Sequence, residues 1–142
     1  MRLDKIEIYI HIIWTTYDRH PLISPEIEAD LFPIICEIGE RHKVKTLAIN
    51  GTPDHVHWLT KFSSTTRLCD LVKDAKGASS LAANDILRNF KWRPTYAAFS
   101  VSRWNVRQIA EYIARQKEHH AEGTIKLALE SMDEALEIPD GE

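Results

Sequence analysis

Two histidines stand one residue apart in the segment TPDHVHWLT, at positions 55 and 57. Successive side chains of a β-strand alternate between its two faces, so His55 and His57 would lie on one face if this segment is extended. A neutral imidazole is the commonest protein ligand for a metal ion, and two of them at this spacing can bind one ion together. The pair alone leaves a second interpretation open, in which one histidine is hydrogen-bonded on the sheet and the other is exposed.

A tyrosine and a glutamine follow in a second segment, YIARQKEHH. Tyr112 and Gln116 are four residues apart, so in a helix they would lie one turn apart on the same face. A phenol can act as a nucleophile, and an amide oxygen can bind a metal ion beside two histidines. Taken by itself, Tyr112 is more typical of an aromatic residue on the apolar face of a helix.

Basic residues concentrate in the middle of a chain whose net charge is -3. Between residues 61 and 117 there are eleven Lys or Arg against four Asp or Glu, whereas residues 118–142 have eight acids and one lysine. A basic region of this kind favours a polyanionic partner, although a solvated charged surface gives the same pattern. The candidate phosphate contacts are Lys73, Lys76, Arg88, Arg93 and Arg103.

The elements that must position these residues can be predicted from periodicity. Alternation and β-branched or aromatic runs indicate strands, and apolar residues at helical spacing after a capping residue indicate helices. The predicted strands are residues 5–17, 43–49, 55–62 and 94–102, and a five-residue loop over 50–54 would join the second strand to the third. The predicted helices are residues 24–42, 66–89, 105–120 and 124–137.

This order of elements is typical of an α+β fold: a ferredoxin-like β-α-β-β-α-β sheet with helices on one face and an added C-terminal helix. The 142 residues suffice for one domain with a core of its own. We expect residues 1–120 to form the functional domain, with an acidic helix and tail over 121–142 as part of the same unit. No segment has about 18 uninterrupted apolar residues, so we expect a cytoplasmic protein without a membrane partner.

Five segments resemble, in their order and approximate spacing, the single-tyrosine HUH transposases of short insertion sequences and the related REP-associated tyrosine transposases. The segments are HIIWTTYDRHPLI, DHVH, KGASS, PTYAAFSVS and YIARQKEHH. No single motif is decisive, but several in the right order are specific. The resemblance reaches from the first predicted strand to His120 and identifies residues 1–120 as the catalytic domain.

The resemblance implies a role for each candidate residue. His55, His57 and Gln116 would bind a divalent metal ion, Mg²⁺ or Mn²⁺, and Tyr112 would be the nucleophile. The enzyme would nick single-stranded DNA at hairpin-marked ends and transfer the strand through a covalent 5′-phosphotyrosine intermediate. Its partner would be single-stranded DNA with hairpins, and two copies of the chain would form a homodimer that shares the active site. Lys76 matches the family's KG.SS element and is the first candidate for a DNA contact.

Two other functions remain open from the sequence. A protein of the same fold could be a catalytically silent regulator that binds DNA hairpins, although the presence of all four active-site residues speaks against it. A plain ferredoxin-like module with a structural metal at the two histidines would have no affinity for DNA.

Overall fold

A computed structural model describes residues 4–122 of the chain. A short 3-10 turn, Tyr17–Arg19, follows the first strand. The strands are β1 (Ile8–Thr15), β2 (Lys45–Thr52), β3 (His55–Phe62) and β4 (Ala97–Val101). The helices are α1 (Pro25–Arg41), α2 (Leu68–Ile86), α3 (Val106–Ala114) and α4 (Gln116–Glu122).

The four strands form one antiparallel sheet in the order β2-β3-β1-β4. Strands β1 and β2, which α1 connects, are separated in the sheet by β3, and strands β3 and β4, which α2 connects, are separated by β1. This is the split arrangement of a ferredoxin-like fold. The α+β fold predicted from the sequence is therefore confirmed. In the register of the sheet, Thr15 of β1 is opposite His55 of β3, so the two histidines lie toward the end of the sheet where β1 finishes.

One surface of the sheet, here called the packing face, carries Ile12, Trp14, Val56 and Trp58. Helices α1 and α2 cover it, and the indole rings of Trp14 and Trp58 meet edge to face at 6.2 Å between centroids. Helix α1 begins as the sequence predicts, because the hydroxyl oxygen of Ser24 accepts a hydrogen bond from the backbone N–H of Ile27 at 3.2 Å. The two crossover helices therefore share one face, as expected.

The opposite surface, here called the histidine face, carries His11, His55, His57 and Leu59, since these residues alternate with those of the packing face. Helix α3 packs on it through Tyr112 and Ile113, which contact Leu59. Helix α3 thus covers the face that the crossover helices leave open.

The loop between β2 and β3 is shorter than predicted. Thr52 is paired with His55, so the loop consists of Pro53 and Asp54 alone instead of five residues. Asn50 and Gly51, which are typical turn residues, lie inside β2. A side chain at position 51 would come within 2.3 Å of the carbonyl oxygen of His55, so this glycine allows the two strands to approach closely.

The single helix predicted for 105–120 is instead two helices, α3 and α4, separated at Arg115. The side-chain amide of Asn50 donates a hydrogen bond to the carbonyl oxygen of Ala114 at 3.0 Å, a group that a continuous helix would use internally. Asn105, which precedes α3, makes no side-chain capping hydrogen bond. The chain therefore turns where it passes over β2.

The predicted helix 124–137 and nearly all of the acidic segment 121–142 lie outside the described residues. Among residues 4–122, no helix combines the length and apolar character needed to cross a bilayer.

Candidate active site

His55 is the first residue of β3 and is 4% exposed. Its Nδ1 lies 2.6 Å from a carboxylate oxygen of Asp54 and 2.8 Å from the hydroxyl of Thr52. The hydrogen bond from His55 is the largest cause of the lowered pKa of Asp54, so this carboxylate stays ionised beside the imidazole. Because Nδ1 is held in this way, Nε2 is the nitrogen of His55 that suits a metal ion.

His57 follows two residues later and is fully buried. Its Nδ1 lies 2.8 Å from Nε2 of His11 on the neighbouring strand β1. The rings of His55 and His57 lie 5.0 Å apart between centroids, as expected for strand residues on one face. The Nε2 atom of His57 is again the nitrogen that suits a metal ion, so both histidines have the pattern of an oriented metal-binding pair.

Tyr112 lies in α3, directly over this pair. Its ring centroid is 6.4 Å from that of His57, and the ring of His119 stacks on the ring of Tyr112 at 4.5 Å between centroids. The side chain is only 4% exposed. The phenol and both histidines therefore belong to one chain and one face of the sheet.

Gln116 opens α4 and is fully buried. Two contacts place its helix over the histidines: the ring of His120 lies 5.0 Å from that of His55, and Lys117 donates a hydrogen bond to the side chain of Asn50 at 2.5 Å. Asn50 is in turn opposite His57 in the sheet. His55, His57 and Tyr112 thus lie together between β3 and α3, and α4, which begins with the buried Gln116, lies over the same histidines.

The types of side chain in this site limit how it could hold a divalent metal ion. Within residues 4–122, no three His, Cys, Asp or Glu side chains come together in a geometry that would hold a metal ion. Two imidazoles oriented through Nδ1 would therefore need a third ligand of another kind, and a buried amide oxygen is suitable. This donor set leaves coordination positions for the oxygens of a substrate.

A cleft of about 670 Å³ opens beside His55. Its walls include the cations Arg19 and Lys117, the carboxylates Glu28 and Asp54, and an apolar strip formed by Pro21, Ile23 and Pro25. Asp18 and Arg19 both have left-handed backbone angles, with φ of 49° and 53°. Non-glycine residues rarely adopt this conformation, and its occurrence beside the histidines is typical of functional loops.

Lys76 and Arg93, two of the predicted DNA contacts, lie together near this end of the sheet. The ammonium group of Lys76 donates hydrogen bonds to the backbone carbonyls of Arg93 at 2.5 Å and Thr95 at 3.2 Å, and its burial lowers its pKa. Ser79 of the same motif accepts a hydrogen bond from the indole of Trp92 at 3.0 Å. The KGASS segment, residues 76–80 of α2, therefore holds residues 92–95 against this helix through hydrogen bonds. The backbone N–H of Arg93 also donates a hydrogen bond to the carbonyl oxygen of Thr15.

The remaining three cations are spread over the surface. Arg88 is exposed and lies in the chain shortly before residues 92–95, to which Lys76 donates its hydrogen bonds. Lys73 is exposed on α2, next to Asp74, which contacts His42 at the far end of α1. Arg103 lies at the end of the sheet opposite the histidines and forms an ion pair of 2.9 Å with Glu7. The length of β1 separates Glu7 from His55 by about 25 Å.

Sequence reasoning missed the residues that orient His55 and His57. Asp54 lies in the loop predicted for residues 50–54, and His11, Asn50 and Arg19 are not among the candidate residues of the sequence analysis. The acid next to His55 was a usable signal, because a carboxylate is a common partner of a metal-binding histidine. His11 had no such signal, since only the register of β1 against β3 brings it to His57.

Comparisons with known proteins find similar sequences and similar folds. A family model described as IS200-like transposase matches residues 4–116. The chain is 28% identical over 118 residues to the ISDra2 transposase TnpA of Deinococcus radiodurans, which covers 78% of this chain and 84% of that protein.

Two solved structures have similar folds. A crystal structure described as a candidate transposase from Deinococcus radiodurans matches with a TM-score of 0.66 and 27% identity, over 82% of this chain and 95% of that one. A REP-associated tyrosine transposase bound to a REP hairpin matches with a TM-score of 0.66 over 84% of this chain and 72% of that one. Its identity is 15%, so it supports the fold alone. The match of the family model over most of the described residues shows that the chain belongs to the IS200-like DNA transposases.

Proposed function

We propose that this transposase nicks single-stranded DNA at hairpin-marked ends and transfers the strand, in a metal-dependent reaction with Tyr112 as the nucleophile. The observation that carries the proposal is the position of Tyr112, whose ring lies 6.4 Å from that of His57 on the face where His55 also lies. A nucleophile and two oriented metal ligands within one small site are the parts that phosphoryl transfer to a protein side chain requires.

Three residues would hold the divalent metal ion, Mg²⁺ or Mn²⁺: His55 and His57 through Nε2, and Gln116 through its amide oxygen. The bound ion would polarise the scissile phosphate and offset the charge that develops in the transition state. Asp54 keeps His55 in the required orientation through the hydrogen bond of 2.6 Å. The carboxylate also offsets part of the positive charge at the site.

Tyr112 would supply the covalent step. As the phenol loses its proton to water, its oxygen bonds to the scissile phosphorus, the bond from phosphorus to the 3′-oxygen breaks, and the 3′-oxygen takes up a proton from water to leave as a 3′-hydroxyl. The phosphate then remains on the tyrosine at the 5′ end of the downstream strand. This ester conserves the phosphodiester energy, so another 3′-hydroxyl can attack it and complete strand transfer without ATP. At 4% exposure, Tyr112 meets a DNA phosphate only when a covering side chain such as His119 moves aside.

DNA would approach through the cleft beside His55. Arg19 and Lys117 supply positive charge on its walls, and the apolar strip suits an unpaired base. Lys76, Arg88, Arg93, Lys73 and Arg103 remain the proposed contacts to the flanking DNA. The hairpin as target follows from the family resemblance and from the REP hairpin in the related structure. Since its substrate is cellular DNA, we place the protein in the cytoplasm.

The experiment that tests the proposal incubates the full chain with a labelled single-stranded DNA library containing hairpins, with and without Mn²⁺ or Mg²⁺. We expect a covalent protein-DNA adduct in the wild type with metal, and none with Tyr112→Phe or after chelation. Hairpin binding without an adduct under any metal would favour the catalytically silent regulator instead. A library that does not bind at all would exclude both functions.

A mixing experiment tests the proposed homodimer with a shared site. The inactive variants His57→Ala and Tyr112→Phe are refolded together and assayed for the adduct. If subunits share the site, a mixed dimer has one intact pair of histidines facing an intact tyrosine, and activity is partly recovered. No recovery would assign Tyr112 to the histidines of its own chain, the arrangement described above.

A further inference from the structure

His11 is the least expected member of the site. It lies in β1, one of the two central strands, and its side chain is fully buried. Its Nε2 is 2.8 Å from Nδ1 of His57, and the two rings are 5.1 Å apart between centroids with planes inclined by 25°. This hydrogen bond joins two strands at the centre of the sheet, directly behind a proposed metal ligand.

The chemistry of imidazole fixes the direction of this hydrogen bond once a metal is bound. A neutral imidazole carries one N–H, and the nitrogen that binds a metal ion must be unprotonated. If Nε2 of His57 binds the ion, the proton is on Nδ1, which then donates to Nε2 of His11. His11 must accept at Nε2 and therefore carries its own proton on Nδ1. The pair thus specifies one tautomer for each ring.

The partners of the two proposed ligands differ in charge. Nδ1 of His55 faces the carboxylate of Asp54, whereas Nδ1 of His57 faces a second imidazole. A carboxylate in both positions would add a second negative charge to a site that must attract a DNA phosphate. A neutral acceptor orients His57 without that electrostatic cost.

A purely structural role for His11 is difficult to reconcile with its surroundings. Phe99 lies on one side, at 6.3 Å between ring centroids, and Leu59 is opposite in the register. An apolar side chain would fill this position without the cost of burying polar nitrogens. We propose that His11 is a positioning residue of the metal site, which holds His57 in the Nδ1–H tautomer with Nε2 available to the metal ion. The inference rests on the proposed function.

The test compares His11→Leu with His11→Gln in the full chain. Leucine fills the space but accepts no hydrogen bond, whereas the amide oxygen of glutamine can take the place of Nε2. We expect His11→Leu to weaken Mn²⁺ binding, measured by titration calorimetry, by about 10- to 100-fold, and His11→Gln to restore most of the affinity. The thermal midpoint of the metal-free proteins is measured in parallel. A merely structural role would lower that midpoint in His11→Leu and leave the Mn²⁺ affinity of the folded protein unchanged, which would overturn the proposal.

Nitrogen-detected NMR of the wild type provides a second readout that needs no variant, in case His11→Leu fails to fold. In the Zn²⁺-loaded protein we expect the proton of His57 on Nδ1 and an unprotonated Nε2 in His11. A proton on Nε2 of His11 would overturn the inference alone, because His11 could then accept no hydrogen bond from His57 while Nε2 of His57 still binds the metal ion. Absence of any Mn²⁺ binding that depends on His57 would overturn the metal site of the proposed function together with it, so the two failures are distinguishable.

Discussion

The two faces of the sheet are built from the same strands but for different purposes. Among the described residues, seventeen buried apolar side chains form the cluster on the packing face, against three on the histidine face. Trp58 and His57 are adjacent in sequence, yet one packs against Trp14 and the other contacts His11. Alternation along a strand thus lets one face provide stability while the other holds polar groups for chemistry.

The two faces also differ in what they contribute to the free energy of folding. Most of the apolar surface of the sheet is buried on the packing face. Each Å² of apolar surface removed from water contributes about 25 cal/mol to the stability of the fold. The histidine face buries several imidazoles and an amide, which are tolerated only where hydrogen bonds replace lost water. A site of this kind depends on the stability that the opposite face supplies.

The largest expected contrast is between Trp58→Ala and Tyr112→Phe. Removing the indole leaves a cavity beside Trp14 and deletes the hydrogen bond from Trp58 to Thr46, so we expect a loss of about 3–5 kcal/mol in the free energy of unfolding. Tyr112→Phe should change stability by no more than about 1.5 kcal/mol and abolish the DNA adduct. Denaturant titration and the adduct assay measure the two effects. A Trp58→Ala protein that loses the adduct while remaining folded would break the division between faces.

Lys76 sharpens the comparison between residues that support the fold and residues that act on DNA. Its motif indicates a DNA contact, but its ammonium group donates hydrogen bonds within the protein, to the carbonyl oxygens of Arg93 and Thr95. Lys76→Met should lower the free energy of unfolding by about 1–2 kcal/mol through the loss of the bonds to Arg93 and Thr95. The exposed Lys73 is the matched control, and Lys73→Met should change stability by no more than about 0.5 kcal/mol. Equal effects of the two variants in thermal unfolding would count against a structural role for Lys76.

Arg88 and Arg103 test how far DNA binding extends from the histidines. Because Arg88 lies near the histidine end of the sheet and Arg103 at the opposite end, we expect Arg88→Met to weaken binding of a hairpin DNA more than Arg103→Met does. A lost phosphate contact should reduce the slope of log affinity against log salt by about one. A larger change for Arg103→Met would extend the binding surface along the whole sheet.

The smallest effect concerns Glu7, which the hydrogen bond from Arg103 keeps at a lowered pKa. A carboxyl whose pKa is lower in the folded state stabilises the fold above its ordinary pKa and loses that contribution as the pH falls through the lowered value. Glu7→Gln should therefore be slightly less stable than the wild type at about pH 7, and the difference should disappear once the pH lies below the lowered pKa of Glu7. A difference that persists at the acid pH would show that the glutamine disturbs packing instead.

The sequence was sufficient where a single local pattern decides the structure. The four strands, the cap at Ser24 and the two crossover helices follow from alternation, helical spacing and a capping residue. The shared position of His55 and His57 follows from the same alternation. These features need no knowledge of distant contacts.

The sequence was insufficient where a contact between residues far apart in the chain determines the local structure. Asn50 donates a hydrogen bond to the carbonyl oxygen of Ala114, where α3 ends before the predicted helix does, and Gly51 allows a turn-like pair of residues to continue as a strand. His11 meets His57 only because β1 pairs with β3 in one particular register. Such contacts between residues far apart in sequence leave no local signal.

The two-residue connection at Pro53 and Asp54 has a practical consequence for protein engineering. Hairpin tips usually accept inserted tags, labels or whole domains. Here the carbonyl of Asp54 accepts a hydrogen bond from Thr16, its side chain bonds to Thr52 and His55, and the carbonyl of Pro53 accepts from Ile23. An insertion at this tip would pull apart three strand ends and displace His55, a proposed metal ligand, so fusion partners for this transposase belong elsewhere.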